Sequence, residues 1–172
     1  MTEFYLIESL QTFLEKTLND INQDRPGTDR EPYLGSLRTV RPLKAEMQDK
    51  EQAVKVNIYN GFVPSAKQES SVFPYVSIFL LDGSVDREYC TCRAQFDIGV
   101  YSQEDNRALM NMLRRIINGL SQLENYMLDN KFELSLPFTW STFEENKHPF
   151  HNASIITSWS WYAPCPQNFS TI

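Results

Sequence analysis

The sequence predicts an α+β fold. The expected architecture is a two-layer sandwich, with an N-terminal helix and a second long helix packed on one face of a mostly antiparallel, mixed sheet. Three observations predict it. From Cys90 to Val100 the residues Cys90, Cys92, Ala94, Phe96, Ile98 and Val100 alternate with Thr91, Arg93, Gln95, Asp97 and Gly99. That period of two puts the apolar side chains on one face of a strand. After Ser102 the period changes to 3.6, and Leu109, Met112, Leu113, Ile116, Ile117, Leu120 and Leu123 form one helical stripe. Burying seven such side chains is worth on the order of 10–20 kcal/mol before conformational entropy is charged, so the helix should lie on its own strand's apolar face. Third, two helical stripes bracket a succession of strand-like runs, the pattern of helices segregated against a sheet.

Length and charge narrow the class. The 172 residues suit one domain with a sizeable core. A formal net charge of −6 argues against a sequence-independent nucleic-acid binder, which needs a basic stripe to displace counterions. No run approaches the roughly 20 apolar residues of a membrane helix. The opening MTEFYLIESLQTFLEK is acidic and amphipathic, with no basic leader region or small-residue cleavage site, which predicts synthesis in the cytoplasm. Cys90 and Cys92 sit two apart on one strand face, near the ~7 Å limit for a bridge, and Cys165 stands alone. Buried free thiols are the expectation.

Taken in order, Thr2 can cap a first helix whose stripe is Leu6, Ile7, Leu10, Phe13, Leu14, Thr17, Leu18 and Ile21, ending before Arg25-Pro26-Gly27. Residues 22–53 then turn polar and punctuated by Pro26, Pro32 and Pro42, and read as a long loop or arm. Residues 53–60 alternate through Val54, Val56 and Ile58 as a half-buried strand. Tyr75 to Leu81 is a nearly continuous apolar run, expected as a strand buried on both faces and closed by a turn at Asp82-Gly83. It should pair antiparallel with the Tyr89 strand through a long polar tip. Ser102 is placed to cap the second helix, and Gly119 to mark close packing or a weakened last turn. Residues 132–136 read as a short strand stopped by Pro137, and residues 153–162 as the last strand. Residues 165–172 look like a flexible tail.

The chain offers little chemistry. Its six glycines form no phosphate loop, and it has no nucleophile elbow. His148 and His151 are its two histidines, and Pro149 between them argues against a helix aligning an HxxH metal pair. Glu144 and Glu145 read as solvated loop carboxylates. Asp97 is a carboxylate in mid-strand, expected on the polar face in a salt bridge with Arg93 or in a subunit contact. Trp140, Trp159 and Trp161 lack interleaved cations, which weakens a base-stacking reading. No catalytic, cofactor or metal residue is assigned, and no enzyme is expected.

Five stretches then become specific by their order and spacing: FPYVSIFLLDG at 73–83, FDIGVYSQEDN at 96–106, the LMNMLRRI helix, FELSLPFTW at 132–140 and WSWYAP at 159–164. Together they resemble the tail terminator, or tail completion, proteins of tailed phages and prophages of Gram-positive hosts. The resemblance implies a hexameric ring that caps the tail tube, meets the major tail tube protein and the head-tail connector, and lets DNA pass through its lumen without specific binding. It implies a virion protein, with no membrane and no cofactor. Another neck, connector or minor tail component of the virion, or a non-viral small-ligand-binding α+β domain, is the alternative. On this reading the polar face of the long strand, with Arg93, Asp97 and Tyr101, is the place for subunit contacts. The tip before it, with Asp82, Asp86 and Arg87, is its companion.

Overall fold

The computed structural model describes residues 3–19, 55–63, 72–102, 106–143 and 149–163. The 22–53 arm, the 165–172 tail, Thr2, Cys165, Glu144, Glu145 and His148 lie outside them.

Two helices and six strands make an α+β fold. Helix α1 spans Glu3–Asn19 and α2 spans Arg107–Ser121; the strands are β1 Asn57–Asn60, β2 Tyr75–Val85, β3 Tyr89–Tyr101, β4 Met127–Leu128, β5 Phe132–Thr142 and β6 Phe150–Tyr162. They form one mixed sheet in the order β1-β2-β3-β6-β5-β4, parallel between β1 and β2 and antiparallel at every other junction.

β3 is the axis, paired along its length with β2 and β6. Every apolar residue of its alternation, Cys90 through Val100, is buried, and both thiols are free. The stripes of both helices close on the same core: Leu6, Leu10, Leu14 and Leu18 from α1, and Leu109, Met112, Leu113, Ile116 and Leu120 from α2. Gly119 lets the helices meet, since a Cβ there would stand 3.0 Å from Phe13 Cζ and 3.1 Å from Thr17 Cγ2. On β6, Thr157 enters this apolar face because its hydroxyl is satisfied twice. Its Oγ1 donates to Ala94 O at 3.1 Å and accepts from Trp159 Nε1 at 2.8 Å.

Several boundaries differ from expectation. Asp82 and Gly83 are not a turn: β2 continues through them to Val85, with a register shift between Leu80 and Asp82. The shift reads as a bulge at Leu81, which leaves one residue unpaired and lets the ladder go on. The tip is therefore short. Asp86 N donates to Tyr89 O at 2.8 Å, and the Asp86 carboxylate accepts from Arg87 N at 2.6 Å. Burial on both faces holds only for Val76, Ser77 and Ile78, and residues 81–89 are all exposed. Pro137 does not end its strand. It sits in a second register shift, between Ser135 and Thr139, where its missing N–H costs no ladder bond, and β5 runs on to Thr142. β6 begins three residues early, so His151 lies in a strand. β1 is shorter than expected, and Val56 precedes it. Ser102 does not cap α2, whose N-cap position is Asn106 with no side-chain bond.

β4 and its turn are an addition. Asp129 and Asn130 have φ of 51° and 54°, and Lys131 N donates to Leu128 O at 3.0 Å. Two successive left-handed residues joining antiparallel strands is the tight hairpin geometry that Asp and Asn tolerate best.

Candidate functional site

The residues not sealed by the helices form the outer face of the sheet and its two edges. Because opposite residues in paired strands share a face, the register sets the outer face in rows. One row crosses five strands: Tyr59, Ser77, Asp97, Ser154 and Ser141. Ser141 and Ser154 share a hydroxyl–hydroxyl bond of 3.2 Å, and Gln95 Nε2 donates to Asp97 Oδ1 at 2.6 Å. Burial pushes the Asp97 carboxyl above its ordinary range, and the Gln95 bond offsets part of that. Ser77 Oγ is fully buried with no hydrogen-bond partner among the described residues. Beside it, burial and then the Asp97 charge push the Tyr75 phenol up.

The expected contact residues do not assemble into one site. Arg93 pairs with Asp82 rather than with Asp97: its Nε donates to Asp82 Oδ1 at 2.8 Å, and a second bond joins the guanidinium to Oδ2. The bulge makes this possible by aligning Asp82 opposite Arg93. Hydrogen bonding to Arg93 holds the Asp82 carboxyl below its ordinary range and raises the guanidinium. Asp86 and Arg87 sit at the tip. Tyr101 stands at the other end of β3, twelve residues from Tyr89, a span of roughly 40 Å at strand rise. There its ring meets Phe150 edge-on at 5.5 Å. At the tip end, Tyr89 and Tyr162 face each other at 5.0 Å, and their mutual hydrogen bond pushes the Tyr89 phenol up.

The edges carry what the sequence reading missed. β4 covers only Phe132 and Glu133 of β5, so among the described residues no strand pairs with the outer edge of residues 134–142. That edge and the residue after it expose Leu136 (53%), Trp140 (49%) and Phe143 (44%). At the opposite edge, β1 covers only Tyr75–Ile78 of β2, and among the described residues no strand pairs with the outer edge of residues 79–85. Phe62, 90% exposed, projects there, with its ring against Phe79 at 5.7 Å. A signal existed in the sequence: residues 134–143, LSLPFTWSTF, contain no charge at all. Edge strands are ordinarily guarded by charges.

Chemistry of other kinds is sparse. Among the described residues no three His, Cys, Asp or Glu side chains converge as a metal site, and no helix is long and apolar enough to cross a membrane. Two open grooves remain. One of about 440 Å³ lies between Glu15 and Leu18 of α1 and residues 55–59. The other, about 520 Å³, runs between the helices, with Lys16 and Arg115 at its walls and Gly119 in its lining.

No protein-family model matches the chain, and no curated protein matches it. Among solved structures it is similar to the type 4 fimbrial biogenesis protein PilO from Pseudomonas aeruginosa, at 16% identity and a TM-score of 0.30. That match covers 50% of this chain and 53% of the PilO chain, so it spans about half of the neighbour's length. The core region of PilO from the same organism matches with the same identity and TM-score, over 50% of this chain and 74% of that one. A likeness at that level bears on neither fold family nor function.

Proposed function

We propose that this chain is a structural protein of a tailed phage or prophage, a tail terminator. Its copies form a ring, expected to be hexameric, that caps the tail tube and joins tail to head. The reading rests on the ordered motifs between residues 73 and 164, and one structural observation supports it: among the described residues the sheet ends in two partly unpaired strand edges that display large apolar side chains. A ring subunit needs such edges, because every copy must offer two different surfaces to its neighbours. In this reading the two helices form one layer over the sheet, as in the tail-terminator arrangement, and the protein acts without a cofactor and without turnover. The net charge of −6 suits a channel that DNA slides through without sticking.

The test is functional. Purified full-length protein is added to the polymerising tail tube protein of the cognate phage, and tubes are measured by negative-stain imaging. Shorter tubes bearing a ring at one end are expected. Tubes of unchanged length with all of the added protein left unbound would overturn the assignment.

A further inference from the structure

The two edges of the sheet are stepped, and the steps are complementary. β1 is a stub beside the first part of β2, level through the register with rows Gly99 to Phe96 of β3. At the far edge, those rows are where β5 is uncovered: Thr142, Ser141 and Trp140 lie level with Ile98, Asp97 and Phe96. The converse also holds. β4 is a stub level with Thr91 and its neighbouring row, where β2 is uncovered at Ser84 and Val85. Each edge therefore has a stub where the other has a notch.

We infer that copies of this chain join head to tail through these edges, the β1 stub of one copy lying against Trp140–Thr142 of the next. The inference rests on the ring reading and names its contact. β1 runs parallel to β2, and β5 runs opposite to it in the same sheet, so the new junction is antiparallel, the geometry that pairs most readily. Neither paired stretch buries a charge, because residues 57–60 and 134–143 have none. Charges lie instead at one end, where they complement. The β4–β5 turn with Asp129 and Lys131 comes level with the next copy's tip, where Asp86, Arg87 and Glu88 give each acid and base there a group of opposite sign to meet. The apolar area is also of the right order. Phe62, Leu136, Trp140 and Phe143, each about half exposed or more, contribute roughly 400 Å² at the size of such side chains. That is about a quarter of the ~1,600 Å² of a standard interface, with strand edges and turns to supply the rest. Using two different edges makes the contact heterologous, the kind that builds a ring when the rotation between copies closes.

Cross-linking separates this from other modes. Tyr59 and Ser141 share a row. Tyr59→Cys and Ser141→Cys are prepared separately in a Cys165→Ser background, oxidised alone and as a mixture, and resolved without reductant. A disulfide-linked dimer at least tenfold stronger in the mixture than in either variant alone is expected. In a second measurement, Trp140→Glu is expected to abolish association while keeping the parent's melting temperature. A dimer from Ser141→Cys alone would mean two β5 edges pair with each other, and would overturn the inference. Association of the parent with no cross-link in the mixture would overturn the edge contact but leave the ring reading standing. A parent that neither associates nor caps tubes would remove both.

Discussion

Two buried hydroxyls on opposite faces of the same sheet, Thr157 and Ser77, are held on opposite terms. On the helix side, the buried Thr157 hydroxyl has both a donor and an acceptor, and its neighbours Ala94, Phe96, Ile155 and Trp159 are apolar and buried. On the outer side, Ser77 is as deeply buried, yet its Oγ has no partner among the described residues. Asp97 is half-buried with one hydrogen bond from Gln95. The helix face is largely finished by its own chain, although the buried Trp161 indole N–H on it has no partner among the described residues. The outer face and the edges leave polar groups and large apolar side chains for which the described residues supply no complement. That difference teaches where to look for a partner.

The comparison can be broken first at the core. Phe96 is fully buried at the centre of the helix face, and Phe96→Ala should cost about 3–5 kcal/mol in chemical denaturation, the range for a deleted core aromatic. Thr157→Val strands the Trp159 indole N–H and should cost roughly 1–3 kcal/mol, whereas Ser77→Ala removes an unpaired hydroxyl and should be neutral or stabilising. Equal losses from those two would erase the contrast between the faces. Gly99 supports the outer face, because a Cβ there would lie 2.2 Å from the Tyr75 ring. Gly99→Val should therefore displace that ring at a cost of about 1–3 kcal/mol, read by denaturation.

The smallest effects are electrostatic, and they have opposite signs on one face. The Asp82 carboxyl is held low by Arg93, so its contribution is present above the ordinary carboxylate pKa and is lost as pH falls through the lowered value. Asp97 is pushed up by burial, so its contribution is present below the ordinary pKa and is lost as pH rises through the raised one. At neutral pH, Asp97→Asn should raise the melting temperature and Asp82→Asn should lower it, and both differences should shrink towards acid. Shifts of the same sign in the two variants would show that one environment has been misread.

Much of this fold was legible in the residues. The alternation from Cys90 to Val100 and the stripe from Leu109 to Leu120 each encode one buried face, and a periodic apolar face has few ways to be satisfied. The elements that were misread are those where a local breaker was overruled by a ladder. Asp82-Gly83 and Pro137 are turn and stop signals in isolation. Each lies beside a register shift that absorbs it, and such a shift is set by neighbouring strands rather than by the breaker itself. β4 was missed although Leu128-Asp-Asn-Lys131 carries hairpin residues, because a two-residue strand has no period to read. The contact residues fared differently. Arg93 and Asp97 alternate onto the polar face as expected, but pairing is a matter of register, and register gives Arg93 to Asp82. The stepped edges depend on which strand lies beside which, and one sequence read in order does not contain that.

Mass in solution tests most directly whether the sheet edges are where copies meet. Sedimentation of the full-length parent across a range of concentrations should reveal a closed particle of several copies, with Trp140→Glu remaining a folded monomer. Identical sedimentation of parent and variant, as equal particles or as equal monomers, would contradict it.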